Sequence, residues 1–139
     1  MTELAYETSV PVRLADLDYF GIVNNAVYAT YLEEARKRFF RDVVGQSLVD
    51  FDAVVVDLSI QYHRPIEAVD AVDVMVGVER LGTSSIELAY EVSSGAEHAS
   101  SARTTQVCID RETGDSQAIP AAVRASLEAT RSASDESIE

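Results

Sequence analysis

Residues 13–28, which read RLADLDYFGIVNNAVY, decide how the secondary structure of this chain is predicted. Two carboxylates, Asp16 and Asp18, precede Gly21, and two asparagines follow before a long amphipathic run begins. This order predicts a turn that leads into the N-terminus of a helix, where backbone N–H groups are free and the helix dipole is positive. A carboxylate that faces such N–H groups can activate water beside a polarised carbonyl, so the stretch suits acyl transfer or hydrolysis.

A long helix is predicted from about Asn25 to Val44. Asn24 or Asn25 can cap its first turn, and Gly45 is a natural stop. Some 20 residues at 1.5 Å per residue give a helix of roughly 30 Å. Its apolar residues recur at three- and four-residue spacing, as on the buried stripe of an amphipathic helix: Val27, Tyr28, Tyr31, Leu32, Ala35, Phe39 and Val43.

Alternation with a period of two predicts strands on both sides of this helix. The first covers residues 8–14, where Val10, Val12 and Leu14 share one face and Pro11 marks an edge strand. Four more are predicted over about residues 54–63, 72–79, 86–92 and 99–109. The 54–63 segment places Val54, Val56, Leu58, Ile60 and Tyr62 on one face, and the 99–109 segment does the same for Val107 and Ile109. A short strand at 117–119 and a helix at 121–129 follow.

These elements predict an α+β domain of two layers. Short connections and half-polar strands imply an antiparallel sheet with one wet face. The lone long helix must bury its apolar stripe, and the inner face of that sheet is the surface large enough to cover it. We expect one domain over residues 1–131, a frayed polar tail over 132–139, and an exposed flank that favours a dimer.

Composition narrows the class of protein. The 139 residues carry a formal net charge of -13, and Lys37 is the only lysine beside ten arginines. This excess of acidic residues argues against nucleic acid as a partner. Together with the scarcity of lysine, it resembles the surface composition of proteins from salt-loving organisms. A single cysteine, Cys108, excludes an intrachain disulfide and a Cys/His metal cluster. No apolar run approaches the roughly 20 residues of a membrane span, and the first residues do not read as a signal peptide, so we expect a cytoplasmic protein.

The predicted arrangement resembles the hotdog fold, an antiparallel sheet wrapped around one long central helix. Residues 16–28 (DLDYFGIVNNAVY), followed by 31–36 (YLEEAR), are similar to a motif of the 4-hydroxybenzoyl-CoA thioesterase family. Residues 62–65 (YHRP) and the segment 110–120 also resemble family features. The resemblance covers roughly residues 8–130.

The resemblance implies hydrolysis of an acyl-CoA or acyl carrier protein thioester, with no metal and no cofactor beyond the coenzyme A of the substrate. Asp18, three residues before Gly21, takes the place of the family's catalytic aspartate, a general base toward water or a nucleophile. Backbone amides around Val23 to Val27 would hold the thioester carbonyl. The family also implies a site shared across a homodimer interface, or a homotetramer.

Two positions depart from the family pattern. Ile22 stands where one branch has histidine, and Asn25 stands where another has histidine or tyrosine. An asparagine can orient water or a carbonyl by hydrogen bonds, but it cannot shuttle a proton near neutral pH. We therefore expect Asn25 to support Asp18 in the catalytic site, and Asp16 to pair with Arg13 in the loop.

The remaining candidates are residues that would bind substrate: Gly21, Val23, Tyr28, His63 and Arg64. Tyr28 is equally typical of a residue packed in the core. His63 could be a plain surface residue, contact a phosphate, or contribute to the active site of a partner subunit. The predicted helix carries a basic cluster that could contact the phosphates of coenzyme A. Its members are Arg36, Lys37, Arg38 and Arg41. Arg64 and Arg103 are alternatives for the same role.

Two other functions remain open on the same fold. One is a non-catalytic module that binds an acyl thioester or a lipid. The other is a dehydratase or hydratase, for which only His63 could supply the histidine. The sequence leaves the acyl group open among aromatic, branched and straight-chain types.

Overall fold

A long helix lies against one face of a five-stranded antiparallel sheet in this structure, a computed structural model that describes residues 4, 6–45, 51–67 and 69–138, with side chains described up to residue 131. The elements, in chain order, are β1 (Tyr6–Pro11), α1 (Val27–Val43), β2 (Ala53–Tyr62), β3 (Ala71–Leu81), β4 (Ser85–Ser94), β5 (Glu97–Cys108) and α2 (Ala121–Ile138). A short 3-10 helix, Leu14–Asp16, follows β1. The strand order is β1-β3-β4-β5-β2, so β1 and β2 form the two edges.

The core confirms the helical and strand periodicities of the sequence. On α1 the buried residues are Tyr28, Tyr31, Leu32, Ala35, Phe39 and Phe40. They pack against the inner faces of β3 and β4, whose alternate residues are buried: Val72, Val74, Val76, Val78, Ile86, Leu88, Tyr90 and Val92. The predicted α+β class, with a sheet around a central helix, is therefore confirmed.

The face predicted for β2 is wrong at the start of the strand, before its bulge. A β-bulge between Val55 and Asp57 shifts the register against β5, and Val54 lies opposite Val107 while Leu58 lies opposite the buried Thr104. Residues directly opposite each other share a face. Leu58, Ile60 and Tyr62 therefore face inward as expected, but Val54 faces outward.

The inner face of β5 is also more polar than the sequence suggests. It is built from Ala102, Thr104, Gln106 and Cys108, whereas Val107 lies on the outer face.

Two ends differ from the sequence prediction. β1 stops at Pro11, and Leu14 is exposed in the 3-10 helix instead of continuing the strand. The expected strand at 117–119 is reduced to an isolated bridge between Ile109 and Ser116. The final helix extends to Ile138, past the predicted end at 129 and through most of the expected tail, while residue 139 lies outside the described residues.

Among the residues that the structure describes, Asp16 is the one buried carboxylate, with 1% of its surface exposed. It accepts hydrogen bonds from the Tyr31 hydroxyl at 2.9 Å, from the Arg13 backbone amide at 2.9 Å and from the Arg13 guanidinium. Burial alone would raise the pKa of Asp16, but these bonds outweigh it and hold the pKa below its ordinary value. The pairing of Asp16 with Arg13 expected from the sequence is thus present.

We predict that Asp16→Asn lowers the free energy of unfolding by about 2 kcal/mol, because the amide loses the charge-assisted bonds from Arg13 and Tyr31. Urea unfolding followed by circular dichroism at pH 7 measures this loss. Because the folded-state pKa is depressed, the carboxylate's contribution is complete above about pH 4 and is lost as the pH falls through that lowered pKa. The difference between wild type and variant should therefore shrink on acidification.

Asp42→Asn is the matched control. Asp42 also accepts from an arginine and a tyrosine, Arg41 and Tyr6, but on the surface. Its substitution should cost far less stability. Equal losses in the two variants would contradict the structural role assigned to Asp16.

Candidate active site

A cavity of about 330 Å³ opens where the loop after β1, the N-terminus of α1 and the end of β2 meet. It is lined by Asp18, Ile22, Val23, Asn25, Tyr28, Tyr62, His63, Arg64 and Pro65. The structure thus brings both candidate catalytic residues together with four of the five candidate substrate-binding residues. A larger hollow, of about 480 Å³, lies on the outer face of the sheet and includes no residue of the 16–28 motif.

The Asp18 carboxylate is held by its own turn. Its Oδ1 atom accepts hydrogen bonds from the backbone amides of Phe20 at 2.8 Å and Ile22 at 3.3 Å. Gly21 does not line the cavity; it closes this turn with a φ of 80°, a conformation in which glycine is favoured. Among the described residues no ion pair engages Asp18, and no hydrogen bond reaches its Oδ2 atom. One carboxylate oxygen therefore remains for a ligand.

The start of α1 leaves only some of its amides free. The amides of Val23 and Asn24 donate to the carbonyls of Ile66 and Asp16. The Asn24 side chain accepts from the Ala26 amide at 2.9 Å, two residues later, in the turn that leads into α1, and the N-cap position itself is Ala26, without a side-chain bond. Asn24 thus accepts from an amide at this end as predicted, but α1 begins at Val27, two residues later than predicted.

Three amides at this end have no acceptor among the described residues, and they belong to Asn25, Tyr28 and Ala29. Of the predicted group at Val23 to Val27, Asn25 is the member whose amide stays available, since Val27 donates to the carbonyl of Asn24. Free N–H groups at the positive end of a helix favour negative charge.

Two tyrosines form an aromatic wall. The Tyr28 ring is buried and meets the Tyr62 ring edge-on, with centroids 4.8 Å apart. The Tyr62 hydroxyl donates to the carbonyl of Asn25 at 2.8 Å, which joins the end of β2 to the start of α1. Burial raises the pKa of Tyr28, so its hydroxyl stays neutral at physiological pH.

His63 and Arg64 stand at the rim, and both are exposed. Arg64 lies 3.9 Å from the carboxylate of Glu97. The other arginines that the sequence offered for phosphate contacts are engaged elsewhere. Arg36 donates to the Tyr90 hydroxyl, Arg38 to the carbonyl of Ser9, Arg41 to Asp42, and Arg103 lies 3.5 Å from Glu79 on the sheet's outer face.

Sequence reasoning missed Ile22, Tyr62 and Pro65 as lining residues. The YHRP segment at 62–65 could have indicated Tyr62 and Pro65 as lining residues. Its separation in sequence from Asn25 concealed that the two segments meet at the cavity. Within the described residues, no group of three His, Cys, Asp or Glu side chains is arranged to hold a metal ion. In the same part of the chain, neither helix combines the length and apolar character that a membrane span needs.

Comparison with known proteins agrees with this architecture. Residues 12–127 match the family described as the thioesterase-like superfamily. The long-chain acyl-CoA thioesterase FadM of Escherichia coli (strain K12) is 30% identical over 130 residues, which cover 88% of this chain and 96% of FadM.

Solved structures give the same result. A Thermus thermophilus thioesterase complexed with coenzyme A and Zn is 32% identical, with a TM-score of 0.83 over 95% of this chain and 98% of that one. A putative thioesterase from Pseudomonas aeruginosa is 28% identical, with a TM-score of 0.79 over 88% and 98% of the two chains. The family match, which spans most of the chain, and the cavity built around its motif lead to one conclusion: this chain belongs to the thioesterase-like superfamily.

Proposed function

We propose that this protein hydrolyses acyl-CoA thioesters to the free acid and coenzyme A, with Asp18 as the group that activates water. The observation that carries the proposal is the place of the Asp18 carboxylate, in a cavity that also contains the free end of α1. Asp18 takes a proton from water as the water oxygen attacks the thioester carbonyl. The carbon–sulfur bond then breaks, and the thiol leaves with a proton returned to it.

The turn around Asp18 supports this role. The amides of Phe20 and Ile22 fix one carboxylate oxygen, and the second oxygen is left to face a water molecule. A base whose orientation is already fixed loses little freedom when the substrate arrives. The same oxygen could attack the carbonyl directly as a nucleophile; we favour the general base because it needs no covalent intermediate.

The amide of Asn25 is the proposed oxyanion donor. It has no acceptor within the described residues, and it stands at the positive end of α1. The hydrogen bond from Tyr62 to the carbonyl of the same residue fixes the orientation of this peptide segment. Donors aimed at the position where charge develops stabilise the transition state more than the substrate. The Asn25 side chain can orient the water or the carbonyl, in keeping with its inability to carry a proton.

Coenzyme A is the proposed thiol carrier. The related Escherichia coli protein is named an acyl-CoA thioesterase, and the related Thermus thermophilus structure contains coenzyme A. At the rim, His63 and Arg64 are the groups able to meet its phosphates, while Tyr28 and Tyr62 offer an apolar wall to the acyl group. Such a wall suits aromatic, branched and straight-chain acyl groups alike.

A homodimer paired along β2 is the proposed assembly. β2 is an edge strand with exposed apolar side chains, among them Val56 at 58% and Leu58 at 44%. A long apolar edge is a template for another strand, and soluble proteins usually cover such an edge. Because Tyr62 ends this strand and also lines the cavity, a second copy on β2 would lie beside the site.

An assay of thiol release from a panel of aromatic, branched and straight-chain acyl-CoAs tests the activity itself. We expect turnover of at least one acyl class, both at low salt and at about 1 M salt, where the Debye length of roughly 3 Å screens the protein's negative charge. Tight binding of every acyl-CoA without thiol release would instead identify a non-catalytic binding module.

Asp18→Asn should lower kcat by at least about a hundredfold, the usual span for a general base. The fold should persist, because the asparagine oxygen can still accept from Phe20 and Ile22. Steady-state thiol release and a urea unfolding curve measure the two effects. Asp110→Asn is the matched control: Asp110 accepts from two amides of its own turn, Glu112 and Thr113, far from the cavity. Near-normal turnover in Asp18→Asn would refute the assignment.

Val56→Glu should convert the dimer to a monomer, because each subunit would place a charge on the apolar edge. Light scattering coupled to gel filtration should give twice the 15.1 kDa chain mass for wild type and the single mass for this variant. Leu14→Glu is the control, since Leu14 is 87% exposed but lies outside β2. A monomeric wild type would rule out this assembly.

A further inference from the structure

The two histidines of the chain lie side by side, and one of them, His63, lines the cavity. Their rings are 4.9 Å apart and tilted by 33°. His63 directly follows β2, and its backbone amide donates to the carbonyl of Ala99 at 2.8 Å. His98 lies near the start of β5. Residues 35 apart in sequence are thus brought together by the pairing of β2 with β5.

A hydrogen-bonded chain behind these rings leads away from the cavity. The Ser101 hydroxyl donates to the Glu91 carboxylate at 2.7 Å, and both sit directly opposite each other on β5 and β4. The His98 Nε2 atom lies 2.5 Å from the same carboxylate oxygen. The His63 Nε2 atom lies 3.1 Å from the Ser101 hydroxyl oxygen. Glu91 therefore anchors both histidines, one directly and one through Ser101.

Proton counting fixes the role of each nitrogen. A serine hydroxyl has one proton, and when the Glu91 carboxylate accepts that proton, the Nε2 atom of His63 is the donor in its bond to Ser101. The Nδ1 atom is then the ring nitrogen left for a ligand. It accepts a hydrogen bond when the ring is neutral and donates one when the ring is protonated.

We infer that Ser101 and Glu91 are positioning residues that hold His63 at the cavity rim, where its protonated ring contacts the phosphates of coenzyme A. This inference rests on the proposed function, since it concerns binding of the same substrate. Nothing in the 16–28 motif points to it, because the anchoring residues lie on β4 and β5, outside the cavity lining.

The charges around the rim explain why this contact matters. Arg64 is offset by Glu97, and Asp18 adds a negative charge from across the cavity, where Tyr28 is neutral. Glu91 is engaged by Ser101 and His98. In a chain of net charge -13, an anionic ligand therefore meets little net attraction at this rim unless His63 carries its proton.

Comparing two substrates with the same acyl group tests the inference. One is the acyl-CoA, and the other is the acyl-N-acetylcysteamine thioester, which has no phosphates. For wild type we expect KM for acyl-CoA to rise by about tenfold from pH 6 to pH 8, as the loss of one charge-assisted contact implies. KM for the phosphate-free substrate should stay constant. His63→Gln should show the high KM at every pH.

Ser101→Ala and Glu91→Gln should reproduce the effect of His63→Gln: KM for acyl-CoA rises about tenfold at pH 6 while kcat changes less than twofold. Ser101→Thr, which retains the hydroxyl, should restore the wild-type pH profile. Glu87→Gln is the matched control, because Glu87 lies opposite Thr105 on the same two strands but has no histidine partner. Its KM should follow wild type at each pH.

Two outcomes would overturn the inference. One is a pH profile of KM in Ser101→Ala and Glu91→Gln that matches wild type. The other is an equal loss of kcat on both substrates, which is the signature of a general structural defect. The dissociation constant of coenzyme A itself, measured by calorimetry at pH 6 and pH 8, separates this result from the proposed function. If wild type hydrolyses neither thioester, the proposed function fails, and the pH dependence of coenzyme A binding still decides the role of the Ser101–Glu91 pair.

Discussion

A buried carboxylate that must be fully paired dictates how the loop after β1 meets the helix. Asp16 cannot remain charged in the core without partners, and it finds them in the Tyr31 hydroxyl on α1 and in Arg13 on its own loop. Its carbonyl also accepts from the Asn24 amide, just before the helix begins. The loop is thereby fastened at both ends to the structure that it joins, and its conformation is no longer free.

The candidate site follows from that fastening. Asp16 points into the core, and two residues later Asp18 points into the cavity, where its own turn holds it. In the same loop, the amides of Val23 and Asn24 donate to backbone carbonyls. The amide of Asn25 has no acceptor among the described residues. The two groups that the proposed mechanism uses, a carboxylate oxygen and a free amide, thus both follow from one packing constraint.

Local signals predicted much of this fold and the centre of its site. The spacing of apolar residues was sufficient for α1 and for the inner faces of β3 and β4, because burial on one face leaves a direct imprint on the sequence. The bulge in β2 left no such pattern in the sequence, because it depends on the pairing with β5. It places Val54 on the outer face, opposite to the face of Leu58 that the alternation predicted. Asp18 could be proposed from its place in the motif at 16–28 that resembles the thioesterase family, and the structure places it in the candidate site. The anchoring of His63 could not, because Ser101 lies 38 residues away and only the sheet register brings the two together.

Electrostatics raise the question of how an acidic protein would take up an anionic substrate. The field of 24 acidic and 11 basic residues acts over the Debye length, about 8 Å at physiological salt, and it opposes the approach of phosphates. Contacts near 3 Å lie well inside that length, so salt weakens the repulsion far more than it weakens a hydrogen bond from the rim. In the proposed complex with coenzyme A, Arg64 and His63 would therefore matter more than the overall charge, and each has an acidic group nearby, Glu97 or the Glu91–Ser101 pair. Under this proposal the acidic residues near the cavity orient the side chains that would meet the phosphates, while those elsewhere on the surface contribute only the screened repulsion.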